Sequence, residues 1–356
     1  MMVGFDGHAA SSDVKRLVRD YGAAGVILFK RNVDRPEQVA ELVRELQGIA
    51  RDAGQAWPLL VAVDQEGGRV ARLGAPWTEW PPLRAVGRVA SEEHARRMGE
   101  ALAAELKACG IGCDFAPVVD VDTNPKNPVI GDRSFGDDPE LVGRLGAAMI
   151  RGLQGGGVVA CAKHFPGHGD TDVDSHLGLP VVDHSRSRLE AVELRPFRAA
   201  IEADVATIMT AHVLVRELDD LQPATLSPRV VGELLRKEMR FRGVIVSDDL
   251  EMKAVAERWQ PGPAAVMAAM AGCDVLPVCK EPGAQVEAIE ALVRAVEAEG
   301  ISWKAMDEAC LRIQRLKELY LLPYRDPLPK EARLAAGVGE RMALAQEIAH
   351  RGGIPV

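Results

Sequence analysis

The stretch Lys163-His164-Phe165-Pro166-Gly167-His168-Gly169-Asp170-Thr171-Asp172-Val173-Asp174-Ser175-His176 gathers three imidazoles and three carboxylates in a glycine-interrupted segment. Three chemistries are open to it. His and Asp are good ligands for zinc or iron, so a metal site is one reading. The Pro and Gly breaks between His164 and His176 fit no helix-borne His motif, however. A second reading is a loop that spends Asp and His on turn hydrogen bonds. The third is a movable acid/base loop, in which His176 titrates near neutrality and Asp174, two residues earlier, fixes its tautomer and raises its basicity. Gly167 and Gly169 supply the backbone freedom such a loop needs.

A carboxylate nucleophile is on offer in Ser247-Asp248-Asp249. Two close carboxylates raise one another's pKa, so only one can point into a site ionised, and neighbours on an extended chain face opposite ways. Further polar clusters follow other apolar runs: Lys30-Arg31-Asn32, Asp64-Gln65-Glu66-Gly67-Gly68-Arg69, Asp120 with Asp122, Lys163-His164, and His212. Any one of these reads equally well as hydrated loop charge. Their recurrence at the ends of successive apolar runs is what points to a shared site.

Those runs define the elements that must position the chemistry. They are Met2 to Phe5, Gly25 to Phe29, Leu59 to Val63, Asp114 to Val119, Val158 to Ala162, Thr207 to Ala211, Val244 to Val246 and Asp274 to Val278. Between them lie segments with apolar residues at three- and four-residue spacing, such as Pro36 to Ala53, Glu92 to Ala108, Glu140 to Gly155, Leu189 to Ala203, Pro228 to Met239 and Pro263 to Ala271. Eight strands alternating with helices predict an α/β protein of the (β/α)8 TIM-barrel type, in which functional residues sit at the C-terminal strand ends. An open doubly wound sheet usually carries fewer strands and a Gly-rich nucleotide turn. Helices over Gln285 to Glu299 and Trp303 to Leu321 are expected to cover the outside. No linker or repeat is visible, so a single domain is expected: a barrel over 1–322 and a helical tail over 323–356 packed on it.

The 356 residues are 47% apolar and 27% charged with a net charge of −9, a globular composition with no basic block for a phosphate backbone. Nucleic acid is therefore not an expected partner. No apolar run reaches the roughly 18 residues of a membrane span, the stretch from Ala264 to Cys273 being cut by Asp274. The start, Met1 to Asp6, has no basic region followed by an apolar stretch, so a cytoplasmic location is expected. The six cysteines form no CxxC pair and read as reduced, buried thiols.

The segments Asp64-Gln65-Glu66-Gly67-Gly68-Arg69-Val70-x-Arg72, Arg133-Ser134-Phe135-Gly136, Lys163 through His176, and Ser247-Asp248-Asp249-Leu250 resemble family 3 glycoside hydrolases. Within that family they are similar to the single-domain β-N-acetylhexosaminidases of peptidoglycan turnover, the NagZ type, with matching segments in the same order from about Val3 to Val278. The resemblance implies a retaining β-N-acetylglucosaminidase that removes terminal non-reducing GlcNAc from muropeptides or related disaccharides, with no cofactor and no metal. It implies Asp248 as nucleophile, His176 as general acid/base and Asp174 as its dyad partner. Asp64, Arg72, Arg133, Lys163 and His164 would hold the sugar. A His in the acid role means that the carboxylate-separation rule for retention does not apply. A second α/β domain like that of larger members is not expected, which fits an acid supplied by a loop. Three alternatives stay open: a family 3 phosphorylase, in which phosphate replaces water; a catalytically silent sugar-binding barrel; and a metal-dependent hydrolase. The aglycone, whether anhydro-MurNAc, MurNAc or a glycolipid, and the oligomeric state have no readable signature.

Overall fold

A computed structural model describes residues 1–354. Eight strands form one parallel sheet: β1 (Met2–Val3), β2 (Gly25–Leu28), β3 (Leu60–Val63), β4 (Cys113–Asp114), β5 (Val159–Phe165), β6 (Thr207–Thr210), β7 (Val244–Val246) and β8 (Pro277–Val278). They pair in the order β7-β6-β5-β4-β3-β2-β1-β8. The ring closes through a parallel bridge between Val246 and Val275, with Ser247 N–H donating to the Val275 carbonyl at 2.9 Å. This is the (β/α)8 barrel.

Alternation along each strand sorts the side chains. Met2, Ile27, Leu60, Ala62, Cys113, Val159, Cys161, Met209, Val244 and Val246 fill the barrel interior. Val3, Val26, Val61, Val63, Ala160, Ala162, Ile208 and Ile245 face the surrounding helices. Burial on both faces explains why the strands read as continuous apolar runs. The same parity carries on past the strand ends: Asp64 continues the inward series of Leu60 and Ala62, Lys163 that of Val159 and Cys161, and Asp248 that of Val244 and Val246.

Several details differ from the sequence expectation. The fourth strand pairs regularly only over Cys113–Asp114, because Pro117 has no N–H for the ladder. Beyond it, Cys161 and Lys163 donate to the carbonyls of Ala116 and Pro117, and Val118 bridges Lys163. The segment expected as an α-helix from Pro228 to Met239 winds as a wider π-type helix, Arg229–Glu238, that still buries Val230, Val231, Leu234 and Leu235. Pro282–Glu297 packs outside the barrel on Pro261–Ala271, as expected. Trp303–Leu321 instead closes the N-terminal end of the barrel: Leu316 joins the interior cluster, and Lys317 Nζ donates to the Ala24 carbonyl at 2.8 Å. In the tail, Pro329–Ala335 lies on Pro36–Asp52, and Gly339–Arg351 lies on Leu83–Val89 and Glu92–Ala108.

Candidate active site

A cavity of about 190 Å³ opens at the C-terminal ends of the strands. Its wall includes Asp64, Arg72, Arg133, Lys163, His164, His176 and Asp248, seven side chains nominated from sequence, drawn from the ends of β3, β5 and β7 and from the loops after β3, β4 and β5. Asp174, the eighth, reaches the cavity only through His176, whose Nδ1 lies 2.8 Å from its carboxylate.

The chain turns sharply after β3 into a short hairpin, Gln65–Gly67 with Val70–Ala71. Gln65 staples it: its Oε1 accepts from the N–H groups of Arg72 and Leu73, and its Nε2 donates to the Leu73 carbonyl. Arg72 is thereby folded back onto Asp64, 3.1 Å away. Lys163 Nζ sits between Asp64 at 2.8 Å and Glu66 at 2.6 Å, and Arg133 grips Glu66 through two N–H groups at 2.8 Å. Three cations and two carboxylates thus form one network on the cavity floor. Burial alone would raise both carboxyls. Lys163 and Arg72 outweigh it at Asp64 and hold that group well below the usual carboxylate range, while Arg133 and Lys163 pull Glu66 down to about 2. A floor of fixed donors and ionised acceptors can bind a polyhydroxylated ring through many hydrogen bonds.

His164 is oriented by Asp120, which takes its Nδ1–H at 2.8 Å and its backbone N–H as well. That leaves Nε2 facing Arg133, whose guanidinium donates to it at 3.4 Å. Burial would raise Asp120, but His164, with further hydrogen bonds, holds it low.

Two glycines shape the histidine loop in different ways. Gly167 sits at φ +130°, a conformation that favours glycine. Gly169 has no positive φ; a Cβ there would lie 1.8 Å from the Val121 carbonyl oxygen, so it permits close approach to the chain after β4. Expected backbone freedom thus holds at Gly167, whereas Gly169 is a contact point. The loop's imidazoles are paired within the protein: His168 bridges Thr171 at 2.8 Å and Ser175 at 3.0 Å, and His176 bonds Asp174. Among the described residues, no group of three or more His, Cys, Asp or Glu side chains is placed to hold a metal ion.

Asp248 and Asp249 have separate environments. Asp249 N–H donates to Asp248 Oδ1 at 2.8 Å. Burial would raise Asp248, yet the fields of His212 and His164 and this N–H hold it below the ordinary carboxylate value. Burial, followed by the Glu251 and Asp248 charges, pushes Asp249 up to about 7. Its Oδ1 accepts from Glu251 N–H at 3.1 Å in an Asx turn that precedes the short helix Lys253–Ala256. Buried His212 ties the segment down, with Nδ1 at Thr225 and Nε2 on the Asp249 carbonyl, both at 2.9 Å.

Four residues of this arrangement carried no assigned role in the sequence: Glu66, Asp120, His212 and, apart from its place in the loop, His168. All stand immediately after apolar runs or in the loop, which was their only local signal. Other strand-end residues do structural work. Arg31 and Asn32 donate to the Phe5 carbonyl, Arg31 also to that of Cys279, and Asp122 pairs with Arg84.

Residues 1–316 match the glycosyl hydrolase family 3 N-terminal domain. A β-hexosaminidase A of Pseudoalteromonas piscicida is 36% identical over 327 residues, covering 86% of this chain but 55% of that longer protein. A β-hexosaminidase of Alkalilimnicola ehrlichii is 40% identical over 301 residues, 83% of each chain. A crystal structure of NagZ from Neisseria gonorrhoeae, in complex with N-trifluoroacetyl-D-glucosamine, superposes with a TM-score of 0.81 at 32% identity, covering 99% of this chain and 97% of the other.

Proposed function

Since this chain belongs to glycosyl hydrolase family 3, we propose that it is a retaining exo-β-N-acetylglucosaminidase that removes terminal non-reducing GlcNAc by double displacement. The observation that carries this reading is that an ionised carboxylate, Asp248, and an imidazole with its tautomer set by a carboxylate, His176, line the same small polar cavity. The network of Asp64, Arg72, Arg133, Lys163 and His164 would receive the ring hydroxyls and the acetamido group. The β-hexosaminidase relatives and the sugar-analogue complex support the choice of sugar.

In the first step a carboxylate oxygen of Asp248 bonds to the anomeric carbon as the glycosidic C–O bond breaks, and His176 Nε2 gives its proton to the departing oxygen. Asp174 holds Nδ1–H and stabilises the charged ring. In the second step His176 takes a proton from water, the hydroxide bonds to the anomeric carbon, and Asp248 leaves as a carboxylate. Two inversions give net retention.

A cavity of about 190 Å³ is of a size for one sugar ring, which supports exo action. Peptidoglycan-derived muropeptides and a cytoplasmic setting complete the proposal, supported by the resemblance to the peptidoglycan-turnover branch. A panel of aryl β-glycosides differing only at the 2-position, run with and without phosphate, tests it. We expect turnover of the 2-acetamido compound alone, with GlcNAc as product. Release of a sugar phosphate would replace the hydrolase with a phosphorylase, and indifference to the 2-substituent would remove the sugar assignment.

A further inference from the structure

We infer that His168 is a positioning residue for the acid/base pair, a strut that fixes His176 and Asp174 through the one residue between them. The inference rests on the roles proposed above for that pair.

A chain of buried hydrogen bonds defines the strut. Thr171 Oγ1 has a single proton, which goes to the His168 carbonyl at 3.1 Å. Asn127 Nδ2 donates both to that carbonyl, at 2.8 Å, and to Thr171 Oγ1, at 3.2 Å. The remaining lone pair of Thr171 then accepts His168 Nδ1–H, 2.8 Å away; the opposite tautomer would leave the buried Ser175 O–H without an acceptor. His168 Nε2 is then a bare acceptor, and Ser175 Oγ–H, 3.0 Å away, is its donor. Every polar atom in this network has a partner.

Burial gives the network its purpose. His168, Thr171 and Ser175 are 1%, 0% and 2% exposed, whereas the His176 side chain is 64% exposed and that of Asp174 28%. The pair is thus not held by packing of its own. Ser175 anchors it from the middle: its hydroxyl is bound to His168, and its carbonyl accepts Ala254 N–H at 3.1 Å, tying the loop to the segment that follows Asp248. At the other end, Asp120 accepts His168 N–H at 2.7 Å while orienting sugar-pocket His164. Burial first, and the field of His164 second, lower His168 to about 4, so Nε2 stays an acceptor at neutral pH. A misplacement of about 1 Å in a reacting group can cost on the order of 100-fold in rate, which is the scale of effect open to such a strut.

The experiment compares Ser175→Ala, His168→Leu and His168→Gln on two GlcNAc glycosides, one with an alkyl or sugar leaving group and one with dinitrophenolate. Loss of alignment should affect only steps that need proton transfer. We expect Ser175→Ala to lose roughly 30-fold in kcat/KM on the poor leaving group and less than threefold on the activated one, with little change in KM and a lowered Tm, because buried His168 Nε2 loses its donor. His168→Leu should show the same asymmetry more strongly. His168→Gln, whose carbonyl can occupy the Nε2 position, should recover part of it. Equal losses on both substrates, or no loss on either, would overturn the inference and leave His168 a purely structural residue. Asp248→Asn serves as the control: retained turnover there would sink the proposed mechanism itself, whatever the strut variants do.

Discussion

Glu66 and Arg133 meet through two N–H···O bonds of 2.8 Å on the cavity floor, with side chains 1% and 10% exposed. Glu66 also takes Lys163 at 2.6 Å, so one carboxylate aligns two of the cations proposed to hold the sugar. A buried pair broken on one side leaves an uncompensated charge.

Glu66→Gln should therefore cost about 3–5 kcal/mol of stability at neutral pH and lower kcat/KM on the order of 100-fold. The pH dependence has a definite sign. Glu66 falls from 4.5 to about 2 on folding, so its contribution is complete above pH 4.5 and fades as pH drops toward 2. Denaturant unfolding of both proteins across that range checks it: the gap should narrow on acidification. A pH-independent gap would mean that lost packing, and no ion pair, is responsible.

His176→Ala should slow cleavage of a disaccharide by on the order of 1,000-fold while sparing the first turnover of an activated aryl glycoside. Added azide, which needs no deprotonation, should restore steady-state turnover and give a β-glycosyl azide. Asp174→Asn keeps the imidazole with a poorer partner and should follow the same pattern more weakly. Burst kinetics and product analysis decide this. Equal loss on both substrates without an azide adduct would move the acid role elsewhere, with Asp172 the next group to examine.

Gly169→Ala places a methyl 1.8 Å from the Val121 carbonyl, a backbone contact that cannot rotate away. We expect a stability loss of about 2–4 kcal/mol and a fall in activity larger than that loss explains, because the displaced loop carries His176. Full activity would show that the loop reseats without that contact.

Asp249 gives the opposite pH signature to Glu66. Its carboxyl rises from 3.8 to about 7 on folding, so the folded state is penalised as pH climbs through that window. Asp249→Asn mimics the protonated form and can still accept the Glu251 N–H. The variant should match the native protein below pH 4 and exceed it in Tm above pH 7. A native protein more stable than the variant at pH 8 would show that Asp249 is ionised and paired in the folded state.

The barrel was legible because strands covered on both faces must be apolar throughout, as Val244-Ile245-Val246 and Val159 to Ala162 illustrate. Their parity then locates Asp248 and Lys163 at the mouth. The polar network was less legible. Nothing near Glu66 announces a partner 67 residues away, and Asp120 acquires its role only when β4 and β5 bring His164 beside it. The capping role of Trp303–Leu321 also escaped, since an amphipathic pattern reveals that one face is buried without revealing which part of the barrel buries it.

The central claim, that Asp248 forms the glycosyl-enzyme, is tested most directly by trapping that species. The native protein is treated with a slow 5-fluoro GlcNAc glycoside bearing an activated leaving group, and the labelled peptide is sequenced by mass spectrometry. We expect one sugar per chain, attached to Asp248 and absent in Asp248→Asn. A label on Asp249, or steady turnover of a good substrate with no covalent sugar on any carboxylate, would contradict the account.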